Sequence, residues 1–251
     1  VRLRPPDGTT RVLAAADPQV RFADLRVHPR VPVVLAVRED HRAPGEPAPP
    51  LVGLDWPTSD GPGDQTVLCR GADFYANPAL SPDLRLAWLE WRHPAMPWDS
   101  TVLKVGRLDA RDRAVVDTTV VAGLENAGLN GVAVHHPRWN SDGTLAFTTD
   151  ASGHFQLNEW DGHQVRALHS DAGDCDLAMF VLDNRVHAEL DDQRLLSWRL
   201  DVGLCHLMIV SRTGEPNRRL AGVAAVDSVA GAQGVGYAIV DRPADHRALV
   251  R

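Results

Sequence analysis

The chain has 251 residues, enough for one large all-β domain or two small ones, and 44% of them are hydrophobic, enough to bury a core. Its formal charge is −7, with acidic and basic residues interspersed, which excludes the basic stripe of a nucleic-acid binder. No apolar run approaches the roughly 20 residues of a membrane helix, and residues 1–6, Val-Arg-Leu-Arg-Pro-Pro, do not read as a signal peptide.

Lys104 is the only lysine; the other basic residues are arginines that do not cluster along the sequence, so no phosphate-binding device is expected. Cys69, Cys175 and Cys205 are widely spaced, odd in number and free of C-x-x-C spacing. That argues against a disulfide framework and a structural zinc site. Free buried thiols in a reducing cytosol are the expectation, and with them a cytoplasmic location.

In chain order, residues 1–4 and 11–13, separated by Asp7-Gly8, read as the last two strands of one blade. A strand over 33–37 follows Val27-His28-Pro29. The proline-rich stretch 44–50 reads as a long hairpin loop or an edge cover, where proline blunts strand pairing. Leu80-Ser81-Pro82-Asp83 precedes a strand over 86–91, and Trp139-Asn140-Ser141-Asp142-Gly143 precedes one over 145–149. A weaker Asp191-Asp192-Gln193 precedes the run 195–198. Leu145-Ala146-Phe147-Thr148-Thr149 alternates large with small or polar side chains, the period of a strand. No stretch carries the 3.6-residue period of a helix.

The turn signals recur roughly every 50 to 60 residues, and about 40 to 50 residues make one four-stranded propeller blade. The clearest blade covers 136–168, with others over 23–68, 76–121 and 177–220; residues 223–251 supply two or three strands of a later one. The fold class is therefore all-β: one β-propeller domain over 1–251, with about four whole blades and two partial ones. It is either part of a larger ring or a ring of five closed by its terminal strands.

Ala72-Asp73-Phe74-Tyr75, Leu80-Ser81-Pro82-Asp83, Leu86-Ala87-Trp88-Leu89-Glu90-Trp91 and His93-Pro94-Ala95-Met96-Pro97-Trp98-Asp99 follow one another within 28 residues. Together they resemble the propeller of acylaminoacyl-peptidase-like members of the prolyl oligopeptidase family. The resemblance extends over about residues 20 to 160 and is weaker beyond. It implies a propeller lid that restricts access of short peptides to an α/β-hydrolase domain carrying Ser, Asp and His. Three turn positions depart from the pattern: Leu84 and Ser100 where Gly is usual, and Asn140 where Ser tends to precede Pro. Less tight hairpins are expected there.

No Ser follows a Gly by two positions, so the G-x-S-x-G elbow of such a hydrolase is absent from these residues, and no catalytic residue is assigned. The stiff loop with His93, Met96, Trp98 and Asp99 is the candidate interdomain or pore-mouth contact; the plainer role for Met96 and Trp98 is to fill space between blades. Trp88 and Trp91 should face opposite sides of one strand. His135 and His136, adjacent on a strand, should point apart, one to the core and one outward, and so not chelate one ion. Glu189 to Asp192 lacks the pattern of a calcium loop, and Gly231, Gly234 and Gly236 lack that of a dinucleotide site.

No metal or cofactor is expected. The expected partners are a hydrolase domain and short peptides, with self-association through open blade edges and neither nucleic acid nor membrane. Two other functions fit the same residues less fully: a stand-alone binding or scaffolding propeller, and a sugar- or lactone-hydrolysing propeller with a metal in its channel.

Overall fold

A computed structural model describes residues 1–4, 8–28, 30–57, 61–109, 114–168, 173–242 and 246–251. All regular structure among them is β, apart from one 3-10 turn at Gly128–Asn130. No helix is long and apolar enough to cross a membrane.

Four antiparallel sheets of four strands follow one another. The first holds β3 (Val20–Val27), β4 (Val33–Asp40), β5 (Leu51–Asp55) and β6 (Gln65–Cys69). The second holds β7 (Phe74–Leu80), β8 (Arg85–Trp91), β9 (Val102–Asp109) and β10 (Ala114–Ala122). The third holds β11 (Val134–Trp139), β12 (Leu145–Thr149), β13 (Gln156–Trp160) and β14 (Val165–Ala167). The fourth holds β15 (His187–Glu189), β16 (Arg194–Asp201), β17 (Leu204–Ser211) and β18 (Arg218–Val223). A hairpin of β1 (Arg2–Leu3) and β2 (Arg11–Val12) precedes them. A three-stranded sheet of β19 (Ala225–Ala232), β20 (Val235–Asp241) and β21 (Ala248–Val250) follows. The proline-rich stretch lies in the connection between β4 and β5. Among the described residues β1 bonds only β2, and β21 only β20.

The blades pack face to face, so their central strands are buried on both faces while outer strands such as β10 and β14 are exposed. β12 shows why its alternation of large and small matters. Leu145 and Phe147 pack with Leu89, Leu103 and Val134 on the side of the second blade. Ala146 packs with Leu195 and Val210 on the side of the fourth. All five residues of β12 are buried, so the period sorts residues between two seams, not between core and water. Trp88 and Trp91 divide in the same way: Trp88 joins Leu35, Leu51 and Tyr75 in the first seam, and Trp91 packs against the second.

Turn chemistry holds the blades open at their corners. The Asn140–Gly143 turn closes with Gly143 N–H donating to the Asn140 carbonyl, at a φ of 84°. Leu84 closes the equivalent turn of the second blade by donating to the Ser81 carbonyl at 3.1 Å, at a φ of 65°. The looser hairpin expected at Leu84 is therefore not found: leucine accepts the left-handed backbone that glycine would take, and the turn stays tight.

Candidate functional site

In an antiparallel blade, the connections from second to third strand and from fourth strand to the next blade emerge on one face of the ring. On that face stand the loop with His93, Met96, Trp98 and Asp99, the 123–133 connection and residues 173–182 of the connection that leads to β15. It is markedly apolar: Met96, Leu124, Leu129, Leu177, Phe180 and Val181 are all exposed, Phe180 by 75%. Trp98 packs on Phe180 with ring centroids 4.6 Å apart, joining two of the loops. Met96 is thus exposed on this face, and Trp98 is half-buried beneath Phe180. Asp99 folds its loop by accepting the Met96 N–H at 2.9 Å, and His93 N–H donates to Asp73 Oδ2 at 2.9 Å.

A buried group anchors these loops from below. His135 Nδ1 donates to Asp176 Oδ2 at 3.0 Å, and Nε2 donates to the Pro97 carbonyl at 3.0 Å. Both ring nitrogens of His135 are therefore held, one by a carboxylate and one by a backbone carbonyl. His136 Nε2 lies 3.4 Å from Asp176 Oδ1. Thr148 Oγ1 and the Leu177 N–H also donate to Asp176, at 2.6 and 2.8 Å. Burial works to raise the Asp176 carboxyl, but the charge of His136 and the hydrogen bonds of both histidines outweigh it and hold it well below the usual carboxylate range.

This corrects the expectation that His135 and His136 point apart. His136 has a φ of 54°, and the β11–β12 register shifts between His135 and Arg138. That bulge turns both rings inward, and both residues are buried. Their donor atoms and a carboxylate oxygen of Asp176 lie within 4.8 Å of one another, the set that a metal ion would draw on. Here hydrogen bonds within the group already hold Asp176 and both nitrogens of His135.

The same bulge recurs on each earlier inner strand. Asp24, Asn77 and His136 all have φ near 50°, and each sits beside a register shift. They are bonded in series round the axis. Asn77 N–H donates to Asp24 Oδ2, a short contact. His136 N–H donates to Asn77 Oδ1 at 3.2 Å, and His187 Nε2 donates to the His136 carbonyl at 2.9 Å. Sequence reading missed this series. Its signal was present as polar residues 53 and 59 positions apart, each three or four residues before a turn.

The remaining predicted positions are structural. The free thiols of Cys69 and Cys205 are pushed up by burial, to about 12 and about 11, and burial also raises that of Cys175 well above its usual value. Thiolate chemistry is closed to them. Glu189 accepts from Ser141 of the neighbouring blade, and Asp191 pairs with Arg194. Gly234 sits in the β19–β20 turn, while a side chain on Gly231 would strike the Glu189 carbonyl.

A puromycin hydrolase crystal structure superposes on 97% of the chain with a TM-score of 0.82 at 22% identity. The Mycobacterium tuberculosis puromycin-hydrolyzing peptidase does so over 97% with a TM-score of 0.81 at 25% identity. Prolyl oligopeptidase B from Galerina marginata covers 87% with a TM-score of 0.62 at 12% identity. The fold matches the N-terminal propeller of the prolyl oligopeptidase family. The chain spans 38% of the length of each of the two puromycin-cleaving enzymes and 30% of prolyl oligopeptidase B. The matched regions are propellers of serine peptidases whose chains also carry a catalytic hydrolase domain. No family model and no curated protein matches the chain.

Proposed function

We propose that this propeller is the access-restricting lid of a cytoplasmic, acylaminoacyl-peptidase-like serine peptidase, admitting short peptides to a hydrolase domain borne by the same polypeptide. The observation that carries this reading is the superposition of almost the whole chain on little more than a third of two puromycin-cleaving enzymes, together with the absence of a nucleophile elbow from the 251 residues. The apolar face with Met96, Trp98 and Phe180 is the surface that the hydrolase domain covers. Exposed apolar area of this kind marks an interface. Three free thiols suit a reducing compartment.

A fluorophosphonate probe tests the reading. The native protein from its source should label on a polypeptide much longer than 251 residues, and the 251-residue chain alone should not label. Labelling of the short chain, or a native protein near 27 kDa that takes no label, would sink it and favour a stand-alone binding propeller.

A further inference from the structure

Arginines that are dispersed in the sequence meet at the ring axis. Arg26 lies near the end of β3, Arg138 on β11, and Arg185 just before β15. Arg26 is held between Asp24 at 2.6 Å and Asp183 at 2.8 Å. Arg138 and Arg185 have no carboxylate within ion-pair distance among the described residues, and Arg138 Nε is buried without any hydrogen-bond partner. Burial first, then the charges of Arg185 and Arg26, push the Arg138 guanidinium down to about 10; Asp183 and Asp24 work against them.

Arg138 is half-buried, and a fold that needed it only for stability would pair it or replace it with an apolar side chain, because drawing an unpaired charge away from water is costly. Open space adjoins it instead. One cavity of about 190 Å³ is lined by Arg26, Asn77, His136 and Arg138. Another of about 370 Å³ is lined by Arg138, Ser141, Arg185 and Glu189. Both lie by the turns from first to second strand, at the mouth of the channel opposite the apolar face. The nearby acids are occupied: Glu189 by Ser141, and Asp191, which also lines the second cavity, by Arg194.

We propose that Arg138 and Arg185 form an oxyanion site at this mouth, and that its ligand is the carboxylate of a short peptide. A guanidinium fork binds a carboxylate through two parallel hydrogen bonds. Three guanidinium groups stand against the carboxylates of Asp24, Asp183 and Glu189, so the mouth carries no surplus charge that would favour a phosphate dianion, and the forks of Arg138 and Arg185, without a carboxylate of their own, suit a monoanion. The choice of a peptide rests on the lid reading above; the site would draw peptides into the channel carboxylate first.

Equilibrium binding to the 251-residue chain tests it, without needing a hydrolase. The probes are a fluorescent N-acetyl tetrapeptide with a free C-terminal carboxylate, its C-terminal amide, and inorganic phosphate as competitor, read by anisotropy. The acid should bind about tenfold or more tighter than the amide, with Arg138→Gln and Arg185→Gln each erasing that preference. Arg185 is exposed, so Arg185→Gln should leave Tm unchanged. Arg138→Gln should leave Tm unchanged or raise it, which separates lost binding from lost fold. Equal binding of acid and amide, unchanged preference in Arg185→Gln, or tight phosphate binding with no peptide binding would each overturn the proposal. Because no serine is read, a failure here leaves the labelling result standing, and the reverse.

Discussion

Leu84 holds a backbone conformation that its own Cβ opposes. At a φ of 65° an L-residue gives up roughly 1–2 kcal/mol. Leu84→Gly should therefore raise stability by about 0.5–1 kcal/mol after the lost side-chain contact and the added chain entropy are set against it. Urea unfolding checks this; a drop would mean that the packing of Leu84 near Leu68 and Leu108 outweighs the strain. At Asp176 the sign is opposite. Asp176→Asn replaces the carboxylate that receives the buried hydrogen bonds of His135, Thr148 and Leu177 by an amide that cannot accept at both atoms, and should cost about 3 kcal/mol. Proton linkage points the same way at two residues. The depressed carboxyl of Asp176 stabilises the fold above the ordinary value of 3.8 and loses that contribution as pH falls below it. His187, lowered from 6.5 to about 3 by burial and then by Arg138, stays neutral in the fold while the unfolded chain takes up a proton. Stability should thus be level between about pH 7 and 8 and fall progressively from about 6.5 towards 3, which thermal unfolding across that window reads directly.

At the scale of elements, the inner strands are joined by their irregularities. The bulges at Asp24, Asn77 and His136 place one polar side chain per blade against the backbone of a neighbouring blade. Removing the middle link tests how much this series contributes. Asn77→Ala deprives the buried His136 N–H of its acceptor and loses the left-handed tolerance of asparagine, so a loss of about 2 kcal/mol is expected. A loss below about 0.5 kcal/mol would mean that the apolar seams alone hold the inner strands. The turn signals Ser81-Pro82-Asp83 and Asn140 to Gly143 located the strands in the sequence because local backbone chemistry decides a turn. The bulges were not legible, since a positive φ at Asp24 or His136 is imposed by the neighbouring blade.

The whole molecule is a stack of blades whose seams differ. The first two blades meet through apolar side chains, including Leu35, Leu51, Leu86 and Trp88. The third and fourth meet through Ala146 and Leu195 but also through Arg212. Its guanidinium reaches Glu159 and Asp142 at 2.6 Å and the Asp192 carbonyl at 2.8 Å, with the Arg212 side chain 5% exposed. Arg212→Ala should cost about 2 kcal/mol, since Glu159 loses one of its two guanidinium partners and keeps Arg166 at 2.8 Å, and should speed hydrogen exchange in β12 and β16 before β8. Uniform exchange across all blades would show that this seam does not unfold separately.

The sequence by itself determined the all-β class, the blade repeat, the sorting of β12 residues by size and the placing of His93, Met96, Trp98 and Asp99 in one loop. Each depends on residues near one another in the chain, where turn propensity and strand period act. Only the tertiary structure decided that His135 and His136 both turn to Asp176, that Leu84 serves in place of glycine, and that Arg26, Arg138 and Arg185 share one channel mouth. These groupings join residues tens of positions apart. The ring closes such distances by stacking blades, and the field at its axis is the sum of side chains that no local pattern relates.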